Sequence, residues 1–279
     1  MYTVRVFQQY TGADYFRIVA HEEINAQQFC PGDLVIFCDI DRCNDEELEE
    51  LKTAYRNILG TGCSILNNPA KVLRRYQLLQ GLHADLTNDF RVYRPGELPA
   101  TEKIRFPVFV RDELEHNGPG SELIHTRVEL ESILANSPPP NPLVCEFIDT
   151  TIKGHYHKYG AFVLDGKIIP RHFFLSGSWN VKSASGDTGH SQQLEIDYVL
   201  KNPHAEELQQ IAEYAHIEFG RIDYAITEKG IQVFEINTNP TVIDEGDIAA
   251  GNPRHFITNW FIDAFSKELK NLKLSAHYE

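Results

Sequence analysis

The sequence predicts an α/β (α+β) fold, and three features carry that reading. Two continuous apolar runs of strand length, residues 33–39 (DLVIFCD) and 143–149 (LVCEFID), look like buried strands. Stretches with helical spacing alternate with them along the chain. Residues 220–241, GRIDYAITEKGIQVFEINTNPT, then show two runs of alternating polarity around a Thr-Glu-Lys-Gly turn, which is a hairpin signal. A chain of 279 residues can bury a substantial core and has room for one or two domains.

The elements follow in order. Residues 2–7 alternate as a strand, and 33–39 read as a parallel one. Asn44 with Glu47 three residues on is a helix cap, followed by Leu48, Leu51, Tyr55 and Ile58 at helical spacing. Gly60 or Gly62 ends that helix, and 64–66 form a third strand. Asp39 and Asp41 follow a strand end; they could face a ligand crevice, but solvated turn residues is the simpler reading. A basic amphipathic helix spans 71–82, an extended piece 88–94, and a short strand 105–111 ends in Arg111. The loop 113–123 is turn-rich, with Gly118 and Gly120. A helix over 128–134 and the surface connection SPPPNP precede the strand 143–149. Asp165-Gly166 marks the turn of a hairpin over 160–170. Asn202-Pro203 starts a helix lined by Leu208, Ile211, Ala215 and Phe219, and Gly220 closes it. A last helix covers 253–272.

The hairpin carries the chemistry. Side chains alternate faces along a strand, so Arg221 shares a face with Asp223, and Glu235 with Asn237. A loop centred on Lys229 sets Asp223 opposite Glu235 and Arg221 opposite Asn237 in one register. Ile222, Tyr224, Ile226, Phe234 and Ile236 then form the core face. Opposed carboxylates repel, and a divalent cation would remove that cost. Mg²⁺ favours carboxylate and amide oxygens together with phosphates, and a neighbouring Arg suits a transferring phosphoryl group. Asp223, Glu235 and Asn237 are therefore the candidate metal ligands, and Arg221 is a candidate catalytic residue.

The residues R-x-D followed by E-x-N-x-N-P resemble the metal-binding end of the ATP-grasp superfamily, and the likeness spans roughly residues 64–245. ILNNP, FPVFVR and IIPRHFFLSGSW resemble a poorly characterised branch of that superfamily, a likeness that supplies no substrate. The resemblance implies an ATP-grasp fold: two α+β subdomains clamping ATP, preceded by a small N-terminal α/β domain. The corresponding boundaries are 1–70, 71–145 and 146–279. It implies ATP and Mg²⁺ as cofactors, with Mn²⁺ as a substitute.

Residue by residue, Arg111 falls where the family carries a phosphate-binding Lys, a change from point donor to planar fork. Lys71, or else Arg74 or Arg75, would reach the phosphates from the first helix. His116, Gly118, Gly120 and Ser121, with Asn117 between, resemble the lid over the triphosphate, where glycines let backbone N–H groups approach phosphate oxygens. Glu146, Phe147, Ile148 and Asp149 resemble the hinge that takes the adenine and ribose. Lys158 matches a further base that contacts phosphate and is grouped with Arg221. Arg171, His172, Trp179 and Lys182 match no general ATP contact and are the candidates for a second substrate.

The implied reaction is ADP-forming ligation: a substrate carboxylate is activated as an acyl phosphate and attacked by an amine. A kinase acting on a hydroxyl, or a non-catalytic nucleotide-binding protein, are the alternatives. Glu235→Gln is expected to abolish turnover and leave the fold intact.

Bulk properties narrow the partners. The net charge of −14 excludes the basic footprint of a nucleic-acid binder and opposes an anionic membrane surface. Small-molecule or peptide substrates remain, and a homo-oligomer is compatible with the sequence. The start of the chain lacks a signal-peptide apolar segment, and no run would cross a bilayer. Five cysteines without a CxxC pair indicate neither zinc nor a disulfide framework, so a reducing cytoplasm is the expected setting. Cys38 and Cys145, inside apolar runs, read as buried thiols. His155 and His157 share a strand face but lack a third ligand for zinc.

Overall fold

The computed structural model describes residues 2–12, 17–85, 87–116, 118–182 and 188–276. The N-terminal unit contains α1 (Tyr2–Thr11), β1 (Leu34–Ile36), α2 (Asp45–Leu59) and β2 (Ser64–Leu66), with β1 and β2 parallel. α2 forms where its signals say: Asn44 and Glu47 close a reciprocal capping box, Gly60 is the C-cap, and Leu51, Ala54 and Ile58 are buried. The first element departs from expectation. Residues 2–7 belong to helix α1, not a strand. Their alternation is also compatible with a helix, and packing decides the outcome: Val6 and Phe7 are buried, with the Phe7 ring edge-on to Phe265 at 5.5 Å.

The next unit holds α3 (Arg75–Ala84), β3 (Val92–Tyr93), β4 (Val108–Asp112), α4 (Arg127–Asn136) and β5 (Pro142–Glu146). The three strands form an antiparallel sheet in the order β3-β5-β4. α3 starts at Arg75 rather than residue 71. The preceding turn is fixed by Asn68, whose carbonyl accepts from Lys71 and Val72, and Leu73 N–H bonds Ala215 O at 3.0 Å. Thr126 and Glu129 form a second capping box at the start of α4.

The C-terminal unit comprises β6 (Thr151–Ile152), β7 (His155–Leu164), β8 (Lys167–Ser176), α5 (Thr188–Lys201), α6 (Ala205–Ala215), β9 (Phe219–Thr227), β10 (Gly230–Asn237) and α7 (His255–Ala276). Its five-stranded sheet runs β10-β9-β7, with β8 on the other edge of β7 and β6 paired to the start of β7. Asp165 (φ 47°) and Gly166 (φ 74°) form the β7–β8 turn in the left-handed conformation such hairpins need. Helix α5 has no counterpart in the sequence reading. α6 begins at Ala205, beyond Pro203, and ends at His216, which takes the left-handed cap conformation at φ 54°. Phe219 and Gly220 therefore open β9 instead of closing the helix. A Cβ on Gly220 would sit 2.9 Å from Asn237 O, so the strand pairing leaves room for nothing larger.

One face of this sheet carries Ala161, Val163, Ile222 and Tyr224 into a core shared with α2, α5 and α6. On the other face Phe162, Leu164 and Phe219 pack against Phe261 and Phe265 of α7. α7 covers only that end of the face. The other end, with Lys158, Asp223 and Glu235, borders a cavity.

Candidate functional site

The hairpin pairs Asp223 with Glu235 and Arg221 with Asn237, as expected, but by a different route. The turn is Glu228-Lys229, and Val233 pairs with Tyr224; the register then shifts by one residue between Val233 and Glu235. This bulge restores the predicted pairing. It also turns Phe234 off the core face: its ring lines the cavity and packs 6.3 Å from Phe90. Asn88 supports the bulge from outside the sheet. Its amide accepts from Val233 N–H at 2.8 Å and donates to Val233 O at 3.0 Å, covering a strand edge that would otherwise be unpaired.

The row continues across the sheet. Glu235, Asp223, Gly160 and His172 are successive partners on β10, β9, β7 and β8. The His172 ring lies flat over Gly160, where an added Cβ would meet it at 2.3 Å, and stacks on Phe174 at 4.3 Å.

The opposed carboxylates are not left to repel each other. Glu235 Oε2 accepts from Arg75 at 2.6 Å and Arg111 at 3.1 Å, and His116 Nδ1 lies 3.5 Å from Oε1. Asp223 accepts from Arg221 at 2.7 Å and Lys158 at 3.0 Å. Five cationic side chains thus neutralise the pair, the task the sequence reading gave to a metal. Burial would raise Glu235, but the His116 contact, then Arg111 and Arg75, hold it well below the usual carboxylate range. Burial opposes ionisation of Asp223 in the same way, and Arg221 and Lys158 hold it low. Burial would likewise depress His116, yet Asp41 and Glu235 raise it to about 9.

The cavity, about 510 Å³, lies between the five-stranded sheet and the β3-β5-β4 sheet. Lys158, Arg221, Asp223, Glu235 and Asn237 supply polar lining; Arg111, His116 and Gly118 approach from β4 and the loop after it. Phe109, Cys145, Phe147, Ile148 and Trp179 supply apolar lining. The Trp179 ring is 5.2 Å from Phe109 and 6.1 Å from Phe147.

Several expected residues stand elsewhere. Lys71 is exposed and lines a separate depression with Tyr55, Gln209 and His216. Arg74 is taken up by Cys43 O and Asp45. Of the three bases, only Arg75 reaches the carboxylates, and its other amino group holds the carbonyls of Asp112, Glu113 and Glu115. Gly120 and Ser121 pair with Val110 at the root of the loop, outside the cavity lining, and Asn117 lies outside the described residues. The Glu146 carboxylate borders the cavity but is occupied by Tyr93 O–H and the N–H groups of Arg91 and Arg105. Asp149 is exposed and caps Thr151 N–H at 2.9 Å.

The second-substrate cluster separates into two places. Trp179 and Lys182 line the cavity. Arg171 is buried, donating to Asp247 at 2.6 Å and lying over the Phe261 ring, and His172 is buried beside it. Burial, then Arg221 and Lys158, push His172 well below its ordinary pKa, so its ring is neutral. His157 is structural: it contacts Thr150 O, and its Nε2 accepts from Ile226 N–H at 3.1 Å. Cys145 is buried and Cys38 half-buried.

Asp41 is not the solvated turn residue that its position most simply suggests; it contacts the site. It is 4% exposed, and its Oδ2 lies 2.6 Å from His116 Nε2. Its position at a strand end was the available signal; the partner is remote in sequence. Among the described residues no group of three or more His, Cys, Asp or Glu side chains is arranged to hold a metal ion. The Asp223 and Glu235 carboxylates, both held ionised, and the neutral Asn237 amide are a hard-oxygen donor set chemically suited to Mg²⁺. A cation there would displace Arg and Lys partners from the carboxylates. No helix among the described residues is long and apolar enough to cross a membrane.

No family model matches the sequence, and no curated protein matches it. Solved structures do. A D-alanine–D-alanine ligase from Bacillus anthracis aligns over 99% of this chain and 92% of its own, at 16% identity and a TM-score of 0.56. The same enzyme complexed with ATP aligns over 92% and 84%, at 15% identity and a TM-score of 0.48. N5-carboxyaminoimidazole ribonucleotide synthetase from Thermotoga maritima aligns over 72% and 51%, at 15% identity and a TM-score of 0.43. The first likeness carries the fold: this chain has the ATP-grasp fold, as its hairpin motif implied.

Proposed function

We propose that this ATP-grasp chain is an ATP-dependent, ADP-forming ligase that joins a carboxylate to an amine. One observation supports this above the others: Asp223 and Glu235 face each other across a hairpin and line a cavity that Phe109, Phe147 and Trp179 also line. The apolar lining, with Trp179, Phe147 and Ile148, suits a flat base. The cations Arg111, His116, Lys158 and Arg221 suit a polyphosphate. On this reading the chain divides at about residues 70 and 145, so that the two sheets clamp the nucleotide between them.

Asp223, Glu235 and Asn237 would hold Mg²⁺, or Mn²⁺ in its place, which neutralises charge on the phosphates when bound. The side chains of the protein do the positioning. Were the carboxylates to hold a metal, Arg111 and Lys158, which line the cavity, would be free to meet phosphate oxygens. A carboxylate oxygen of the substrate attacks the γ-phosphorus, and the bond to the β-phosphate oxygen breaks, giving an acyl phosphate and ADP. The amine then attacks the acyl carbon; inorganic phosphate departs and the amine's proton passes to solvent. Arg221, bonded to Asp223, stabilises charge on the phosphoryl group in transit.

The test is thermal unfolding with and without MgATP, on wild type and on Asp223→Asn, followed by ADP release with candidate carboxylates. At a hundredfold excess over its dissociation constant, MgATP stabilises by about 2.7 kcal/mol. The shift should require Mg²⁺ and vanish in the variant. No shift in wild type would reject the nucleotide site. Hydroxylamine in the assay separates the reactions: an acyl phosphate yields a hydroxamate, and a phosphorylated alcohol does not.

A further inference from the structure

We propose that Asp41 is a positioning residue: from the N-terminal unit it holds His116 against Glu235, so that the N-terminal unit completes the candidate site. Its two oxygens have separate tasks. Oδ1 accepts the backbone N–H of Thr238 at 3.0 Å and also its hydroxyl. Thr238 directly follows Asn237, and its hydroxyl oxygen in turn accepts Ile40 N–H at 3.0 Å. That exchange alone fastens the N-terminal unit to the end of β10.

Oδ2 takes no part in it. It faces His116 Nε2 at 2.6 Å, while the other ring nitrogen lies 3.5 Å from Glu235 and 3.2 Å from Arg75. A carboxylate serving only as a clamp to Thr238 would not need its second oxygen on a ring that lines the cavity. The approach of Asp41 is set by Asp39, which holds the left-handed conformation at φ 62°, a backbone state Asp tolerates better than most residues. The imidazole is therefore held from two sides, by a residue near the start of the chain and by one near its end. His116 lies in the loop after β4, so the same contact ties that loop to the N-terminal unit.

The effect on nucleotide affinity rests on the function proposed above; the effect on the loop does not. The experiment uses Asp41→Asn, His116→Gln and the double variant in the full-length protein. MgATP affinity is measured by calorimetry, and cleavage after Glu115 by a Glu-specific protease is followed without nucleotide by mass spectrometry. Each single variant should weaken MgATP about tenfold and the double no further, a coupling of about 1.4 kcal/mol. Cleavage after Glu115 should speed up in both single variants. Additive losses, or wild-type cleavage in Asp41→Asn, would overturn the proposal. If wild type does not bind MgATP, the ligase reading fails and cleavage alone decides the role of Asp41. If Asp41→Asn does not fold, His116→Gln decides: faster cleavage supports the contact, and an unchanged rate rejects it.

Discussion

Replacing Glu235 by Gln tests the charge balance of the site most directly. Its carboxylate is the counter-ion of Arg75 and Arg111, whose side chains are only 3% and 10% exposed. An arginine cannot shed its proton to escape burial, so the variant leaves two cations short of a partner. Breaking a buried pair from one side costs about 3–5 kcal/mol. The Gln oxygen still accepts one hydrogen bond, which returns about 1 kcal/mol. The net loss is then about 2–4 kcal/mol, against a total stability of roughly 5–15 kcal/mol. Such a loss leaves the protein folded, as expected from sequence, but less stable, so lost turnover in that variant would include lost stability. Urea unfolding followed by tryptophan fluorescence and circular dichroism measures the loss. Glu131→Gln is the control, since its pair with Arg127 is on an exposed helix face. The sign with pH follows from the depressed Glu235 pKa: its contribution is present above about 4.5, the ordinary value, and fades as pH falls toward the folded one. The gap between wild type and variant should narrow in acid. A variant as stable as Glu131→Gln at neutral pH would show that the two arginines do not depend on Glu235.

His116 gives the opposite slope. With its pKa raised from 6.5 to about 9, its contribution to stability is complete below pH 6.5 and disappears as pH climbs through 9. The urea midpoint of wild type should fall over that interval, and a slope unchanged in His116→Gln would refute the assignment. Gly160→Ala places a methyl 2.3 Å from the His172 ring, which Phe174 backs at 4.3 Å. A loss of about 1–3 kcal/mol is expected from such overpacking, and wild-type stability in that variant would mean that the ring moves aside freely.

The order and pairing of the central hairpin were legible because strand parity and a short turn are local properties. Parity alone could not reveal the bulge at Phe234, which depends on Asn88 from another part of the chain. Helix α5 escaped for a related reason. Its buried face includes Ser191, Glu195 and Tyr198, and Glu195 is inside because it accepts from Arg254 and Phe173 N–H. A polar residue on the inner face breaks the apolar stripe by which a helix is recognised. Arg75 looked equivalent to Lys71 and Arg74, since three nearby bases differ only in which way the folded chain turns them. Asp41 read most simply as a solvated turn residue; its partners, His116 and Thr238, come from distant segments.

The five cations gathered on Asp223 and Glu235 also govern which ligand can bind before the other. A bare divalent ion would meet carboxylates that are already satisfied, and would have to displace an Arg or Lys from them. On the proposed function, a polyphosphate would offer those side chains a new anion and so free oxygens for a metal. Affinity for each would then be conditional on the other, and linkage would make the factor the same in both directions. The protein would then discriminate between magnesium and magnesium nucleotide without any residue dedicated to that choice.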